Sequence, residues 1–200
     1  MAIQINGNGT ITGISVGGLP DGIVDTDMIA ANAVATAKLA DGAASGTKLT
    51  VPTGSVIQIV EGSSTTQEQP TGQNYTLFLT KAITPSATAN NIFIQVVAQY
   101  GLMTASGQDA GLGFKLTRTV GGTETAVYES DDPYDVYCYG SSGVSEARRH
   151  KPINHLDTGV STTSAVTYKV YARDYSSSAQ LEGVCIAAAK STIHLMEIKG

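Results

Sequence analysis

Apolar and polar positions change rhythm along this chain. From residue 54 onward they alternate with period two, the spacing of β-strands. Residues 55–60 and 75–80 are strand candidates, and 92–100 is a long apolar run rich in β-branched residues, the mark of a central strand. Residues 113–118 place Phe114 and Leu116 on one face and Lys115 and Thr117 on the other. Gly121 and Gly122 then read as a hairpin turn, with 125–128 as the return strand. In 165–173, Val166, Tyr168, Val170 and Ala172 oppose Thr167, Lys169, Tyr171 and Arg173, and 191–198 closes the series. Turn-rich pieces at 62–66 and 175–178 separate the runs. Seven to nine strands with frequent turns, and no convincing helix of ten residues, predict an all-β antiparallel sandwich, most simply a jelly roll, over residues 53–200.

Residues 1–52 follow another rule. They contain no aromatic residue, whereas all nine Tyr and three Phe lie between Tyr75 and Tyr175. Three units align at a spacing of ten, with Ile29, Leu39 and Leu49 as their aliphatic positions. Asn32, Gly42 and Pro52 mark their turns. One large aliphatic per unit offers too little apolar area to offset the entropy of ordering ten residues, roughly 1–2 kcal/mol each. Identical chains wound about one axis could bury those aliphatics together, whereas a lone chain would be a flexible linker. The period is kept in both aliphatic and turn positions, which favours an extended attachment or shaft segment. Fully extended, residues 26–52 would reach ~90 Å at about 3.3 Å per residue.

Composition narrows the classes. Charged residues are 14% of the 200, against about 25% in an ordinary soluble protein, so a coiled coil or helical bundle is excluded. A net charge of −5 and a pI near 5.1 argue against a nucleic-acid binder and against a highly charged disordered tail. The first residues have neither the cationic nor the apolar region of a signal peptide, and apolar runs such as 186–189 are too short to span a membrane. Cys138 and Cys185 are too few for a disulfide scaffold and read as free thiols.

Candidate chemistry is sparse. Nucleophile-elbow, P-loop, dinucleotide and zinc-protease motifs are absent. The sequence therefore predicts no enzyme activity, cofactor or resident metal. His150 and His155 lie five apart, and a single His on a three-fold axis could supply three ligands, but an exposed or hydrogen-bonded role is the simpler one. His194 alternates with Ile193 and Leu195, which puts it on an outer or subunit-facing side. Glu129, Asp131, Asp132 and Asp135 could bind calcium or serve hydrolysis, yet Asp-Asp-Pro is first a turn sequence. The basic run Arg148, Arg149 and Lys151 could neutralise an acidic partner or a neighbouring subunit, but a solvated loop is the simpler reading. The most suggestive surface is Tyr134, Tyr137 and Tyr139. In an extended segment Tyr137 and Tyr139 share a face opposite Val136 and Cys138, so two tyrosines would project outward, where they suit saccharide or protein recognition. Packing between subunits is the competing role.

At the N-terminus, Asn8-Gly9-Thr10-Ile11-Thr12-Gly13-Ile14, then Gly17-Gly18-Leu19-Pro20-Asp21-Gly22 and the decapeptides, resemble the start of many tailed-phage fibre and appendage proteins. Stretches 82–92, 156–168 and 191–198 are similar to a domain common in structural proteins of marine and freshwater phages. The resemblance implies a homotrimeric virion component, assembled in the host cytoplasm, with an N-terminal segment that docks on other virion proteins and a C-terminal β-sandwich knob; as a tail fibre it would present that knob to a host glycan or protein. A capsid decoration or head fibre that stabilises or ornaments the shell is the alternative. Neither reading involves nucleic acid or membrane insertion, and a polysaccharide depolymerase is disfavoured for want of an acid/base pair.

Overall fold

The computed structural model describes residues 4–5, 11–12, 51–130, 134–141, 145–175, 179 and 181–200. The chain divides into two compact units, Met1–Thr50 and Val51–Gly200. In the first, β1 (Gln4–Ile5) pairs antiparallel with β2 (Ile11–Thr12). Ile29, Leu39 and Leu49 lie outside the described residues.

The second unit is an antiparallel sandwich of two five-stranded sheets. Its strands are β3 (Val56–Ser64), β4 (Thr76–Ile83), β5 (Asn91–Thr104), β6 (Asp109–Val120), β7 (Thr123–Glu129), β8 (Val136–Tyr139), β9 (Ser145–Asp157), β10 (Val166–Asp174), β11 (Leu181–Val184) and β12 (Ser191–Ile198). Sheet I runs β4-β10-β6-β7, with β8 beside β7 on the same edge of β6. In sheet II, β9 lines one edge of β5, β12 and β11 share the other, and β3 lies beyond β12. Leave aside the short β8 and β11, and the pairing becomes nested. The first long strand pairs with the last (β3–β12), the second with the seventh (β4–β10), the third with the sixth (β5–β9) and the fourth with the fifth (β6–β7). Contacts β12–β5 and β10–β6 then close the two sheets. This is the rolled-up double strand of a jelly roll.

Local sequence explains the pieces. Gly121 and Gly122 have φ of +55° and +86°, the left-handed pair that a two-residue hairpin needs between β6 and β7. Alternation sends Ile92, Ile94, Val96, Phe114, Leu116 and Tyr168 fully inward, each such aliphatic contributing about 1.5–3 kcal/mol by burial. Phe78 meets Phe114 edge-on at 6.2 Å, and Ile193 and Leu195 fill the opposite layer.

The basic run Arg148, Arg149 and Lys151 is not a loop but the middle of β9, a 13-residue strand. Arg148 is in register with Gly101, Arg149 with Tyr100 and Lys151 with Ala98. An edge strand tolerates this sequence because one side faces solvent and Pro152 has no hydrogen-bonding duty there.

Two buried carboxylates fasten the strands to their loops. Glu197 is fully buried and accepts hydrogen bonds from Ser86 N (2.6 Å), Ser86 Oγ (2.8 Å), Asn90 Nδ2 (2.6 Å) and Gln58 Nε2 (2.6 Å). Burial alone would raise its pKa, but these donors outweigh it and hold the carboxyl below its ordinary value. Asp157 accepts from Arg118 Nη1 (2.6 Å), Gly159 N (3.0 Å) and Tyr168 Oη (2.8 Å).

β11 and β12 lie on the same edge of β5, separated by a 3-10 turn, Ile186–Ala188. Cys185, Ala187 and Ala188 there take φ of +53°, +56° and +59°, at roughly 1–2 kcal/mol each for a residue with a Cβ. Gln99 holds the turn in place: its backbone carbonyl accepts from Cys185 N (3.0 Å) and its side-chain oxygen from Ile186 N (2.6 Å).

Candidate recognition site

The outer face of sheet I collects the tyrosines. β8 pairs with the first third of β6, Tyr137 opposite Gly111 and Tyr139 opposite Asp109. Because Leu112, Phe114 and Leu116 of β6 point into the core, the alternate positions, and hence Tyr137 and Tyr139, point out. The two rings are 45% and 52% exposed. Val136 and Cys138 turn inward and pack against the core. Burial pushes the Cys138 thiol up, helped by the nearby Glu182 and Asp109 carboxylates, so it is a poor nucleophile.

Tyr137 stacks on Tyr134, with ring centroids 4.8 Å apart and an interplanar angle of 24°. A third ring completes the group. Tyr175 meets Tyr134 edge-on at 4.8 Å and Tyr137 at 6.2 Å. The Tyr137 hydroxyl donates to Asp109 Oδ1. That bond is the main reason its phenol is pushed up to about 12. Tyr139 shares the face, and Tyr134 is half-buried within the cluster. The turn-rich composition of 175–178 predicts a turn at Tyr175, whereas the structure puts its ring in the cluster. The signal for it was present, since Tyr175 continues the outward positions Tyr171 and Arg173 of β10.

The same face continues as a polar ladder. Lys115 Nζ sits 4.0 Å from the Tyr75 ring centroid and 5.6 Å from that of Tyr171, and Arg173 lies 5.0 Å from Tyr75. Tyr75 Oη donates to Glu129 (3.0 Å). Glu124 accepts from Lys169 (2.6 Å), Tyr171 (2.7 Å) and Thr117 (2.8 Å). Chiefly through Lys169, its carboxyl is held at about 2. The face therefore offers flat aromatic area with hydroxyls and fixed charges at its rim, the chemistry of sugar or polar-peptide contacts.

The other candidates disperse. Asp135 is drawn inward, accepting from Phe114 N (2.9 Å) and Tyr128 Oη (2.6 Å) and pairing with Lys151 (3.2 Å). Glu129 serves Tyr75 instead, and Asp131 and Asp132 lie outside the described residues. His150 is exposed, and His155, five residues on in β9, projects from the opposite side of the strand. His194 lies on the outer side of β12, its Nε2 3.9 Å from Glu61. Among the described residues no three His, Cys, Asp or Glu side chains converge on a metal-sized site. An open groove of about 300 Å³ between β3 and β4 is lined by Ser63, Ser64, Thr66, Glu68, Leu77 and Phe78 among others.

No protein-family model matches the chain, and no curated protein does. Among solved structures it is similar to the VP2 subviral particle of infectious bursal disease virus, at a TM-score of 0.41 and 13% identity, over 73% of this chain and 34% of that one. The structure of the Gx strain of the same virus matches at a TM-score of 0.36 and 14% identity, over 73% and 34%. The chain thus spans about a third of the length of the solved chains it matches.

Proposed function

We propose that the chain is a virion structural protein, and more narrowly a homotrimeric fibre of a tailed bacteriophage. In this reading residues 1–52 anchor the protein to other virion proteins, and the sandwich is presented for binding a host-surface glycan or protein. The role is structural rather than enzymatic. The observation that carries the reading is a decapeptide-repeat segment joined to a jelly roll that exposes Tyr137 and Tyr139 beside Asp109. The resemblance of the N-terminal and sandwich stretches to phage appendage proteins supports it.

Two measurements test it. In a particle reconstruction the chain is expected at the tail, with its N-terminal segment inserted into a baseplate or adaptor protein. A place on the capsid lattice at a symmetry axis would make it a decoration protein instead. In a cell-binding assay the purified full chain should bind host cells, and the double change Tyr137→Ala and Tyr139→Ala should abolish binding without unfolding the sandwich. Undiminished binding by that variant would remove the tyrosine face from the account.

A further inference from the structure

The two outer faces of the sandwich differ in kind. On sheet I, Tyr75, Lys115, Tyr171, Arg173 and Glu124 are tied together by hydrogen bonds and cation–ring contacts. On sheet II charge pairs occur only beside an apolar middle among the described residues. Its register places Leu156 of β9 opposite Phe93 of β5, Phe93 opposite Met196 of β12, and Met196 opposite Ile59 of β3. All four point outward, since Ile92, Ile94, Leu195 and Ile193 take the inward positions. Four strands about 4.8 Å apart make this an apolar row ~15 Å long. Its ends are bare, with Ile59 58% and Leu156 49% exposed. At the β3 end the row broadens, because a register shift adds Ile57, 39% exposed, next to Val56, 49% exposed.

We propose that this face of sheet II, centred on the row Leu156–Phe93–Met196–Ile59, packs against a second copy of the chain. The inference rests on the homo-oligomeric reading above and gives it a surface. The row holds no hydroxyl or cation for a glycan or an anion, so it suits burial against another apolar surface. Its flanking charges are matched within the subunit, Glu61 with Lys190 (3.5 Å) and His194 (3.9 Å), and Arg148 with Glu146 (2.5 Å). Copies arranged around one axis can therefore bring this face together without unmatched like charges. The occupant follows from where the chain enters. In the sequence residue 52 precedes β3 by only four positions, so in the homo-oligomeric reading, copies joined through the decapeptide segment bring their β3 strands to a high effective concentration. A row too small to hold free subunits together then suffices.

The test uses the full chain in analytical ultracentrifugation. Wild type is expected to be an oligomer. Ile59→Lys and Leu156→Lys place a charge in the row and should each weaken association more than about tenfold, while Thr80→Lys on the opposite face leaves it unchanged. Both row positions are about half exposed, so circular dichroism should find all three variants folded. Independently, a thiol introduced as Ile59→Cys should be shielded from a maleimide in the oligomer and become reactive on dissociation. An oligomer that is indifferent to both charge changes, with a reactive thiol at 59, overturns the face and leaves the oligomeric reading standing. A wild-type chain that is monomeric at every concentration overturns both.

Discussion

Gly111 lies directly under Tyr175: a Cβ built on the glycine would come within 3.2 Å of the tyrosine Cβ, and within 3.1 Å of that of Tyr134. The backbone carbonyl of Val136 would be closer still, at 2.9 Å. The glycine is thus the floor on which the tyrosine cluster stands. Its carbonyl also accepts from Tyr175 N (3.1 Å), and its N–H donates to Glu182 (2.5 Å).

Gly111→Ala should therefore push β8 away from β6 and scatter the rings. Overpacking of this kind costs about 1–3 kcal/mol. The expected readouts are a lower denaturant midpoint and weaker near-UV circular dichroism from the tyrosines.

Glu197→Ala should be among the most damaging changes. It strips the shared acceptor from Ser86, Asn90 and Gln58 and leaves buried donors unmet, at about 2–4 kcal/mol. Urea denaturation at unchanged m-value would measure it.

Acid should weaken the sandwich through its depressed carboxylates. Glu124 is lowered to about 2 from an ordinary 4.5, and Glu197 is lowered as well. A depressed carboxylate stabilises the folded state above its unfolded pKa, and that contribution is lost as pH falls through the folded one. Stability should therefore decline from about pH 4.5 towards 2, and Glu124→Gln should flatten part of the decline. Glu124 is a third exposed, so solvent screening keeps its share below about 1 kcal/mol. Thermal melts across that window would check the slope.

Ala188→Gly should stabilise. The residue is exposed with φ of +59°, a conformation that costs a Cβ roughly 1–2 kcal/mol and costs glycine little. A rise of about 2–4 °C in Tm is expected for a sandwich of this size.

Much of this fold was legible from alternation, because the strands with one face in the core, β6, β10 and β12, must repeat every second residue. β9 was not legible: its outward and edge positions hold Arg148, His150, Pro152 and Asn154, which solvent accepts as readily in a strand as in a loop. Pairing order was invisible as well, since alternation says which face a residue takes and nothing about its neighbour. The stretches that carry the phage resemblance looked low in complexity, yet their polar residues are fasteners. Ser86 and Asn90 from one stretch meet Glu197 from another, and Asp157, Gly159 and Tyr168 close within the third. Outward pointing of Tyr137 followed from parity. The cluster around it did not, because Tyr175 reaches it from beyond the end of β10.

The pairing of first strand with last has a mechanical meaning. Gly54 N donates to Lys199 O (2.8 Å), and Lys199 N donates to Ser55 O (2.9 Å). Tension entering the sandwich through residue 51 meets this clasp before it reaches any ladder bond of β3. Beyond the clasp, β3 can detach only by parting from β12 along its length, and β12 is anchored in turn on β5. A tether pulled from the N-terminal side therefore loads the jelly roll at the seam where its rolled strands begin and end.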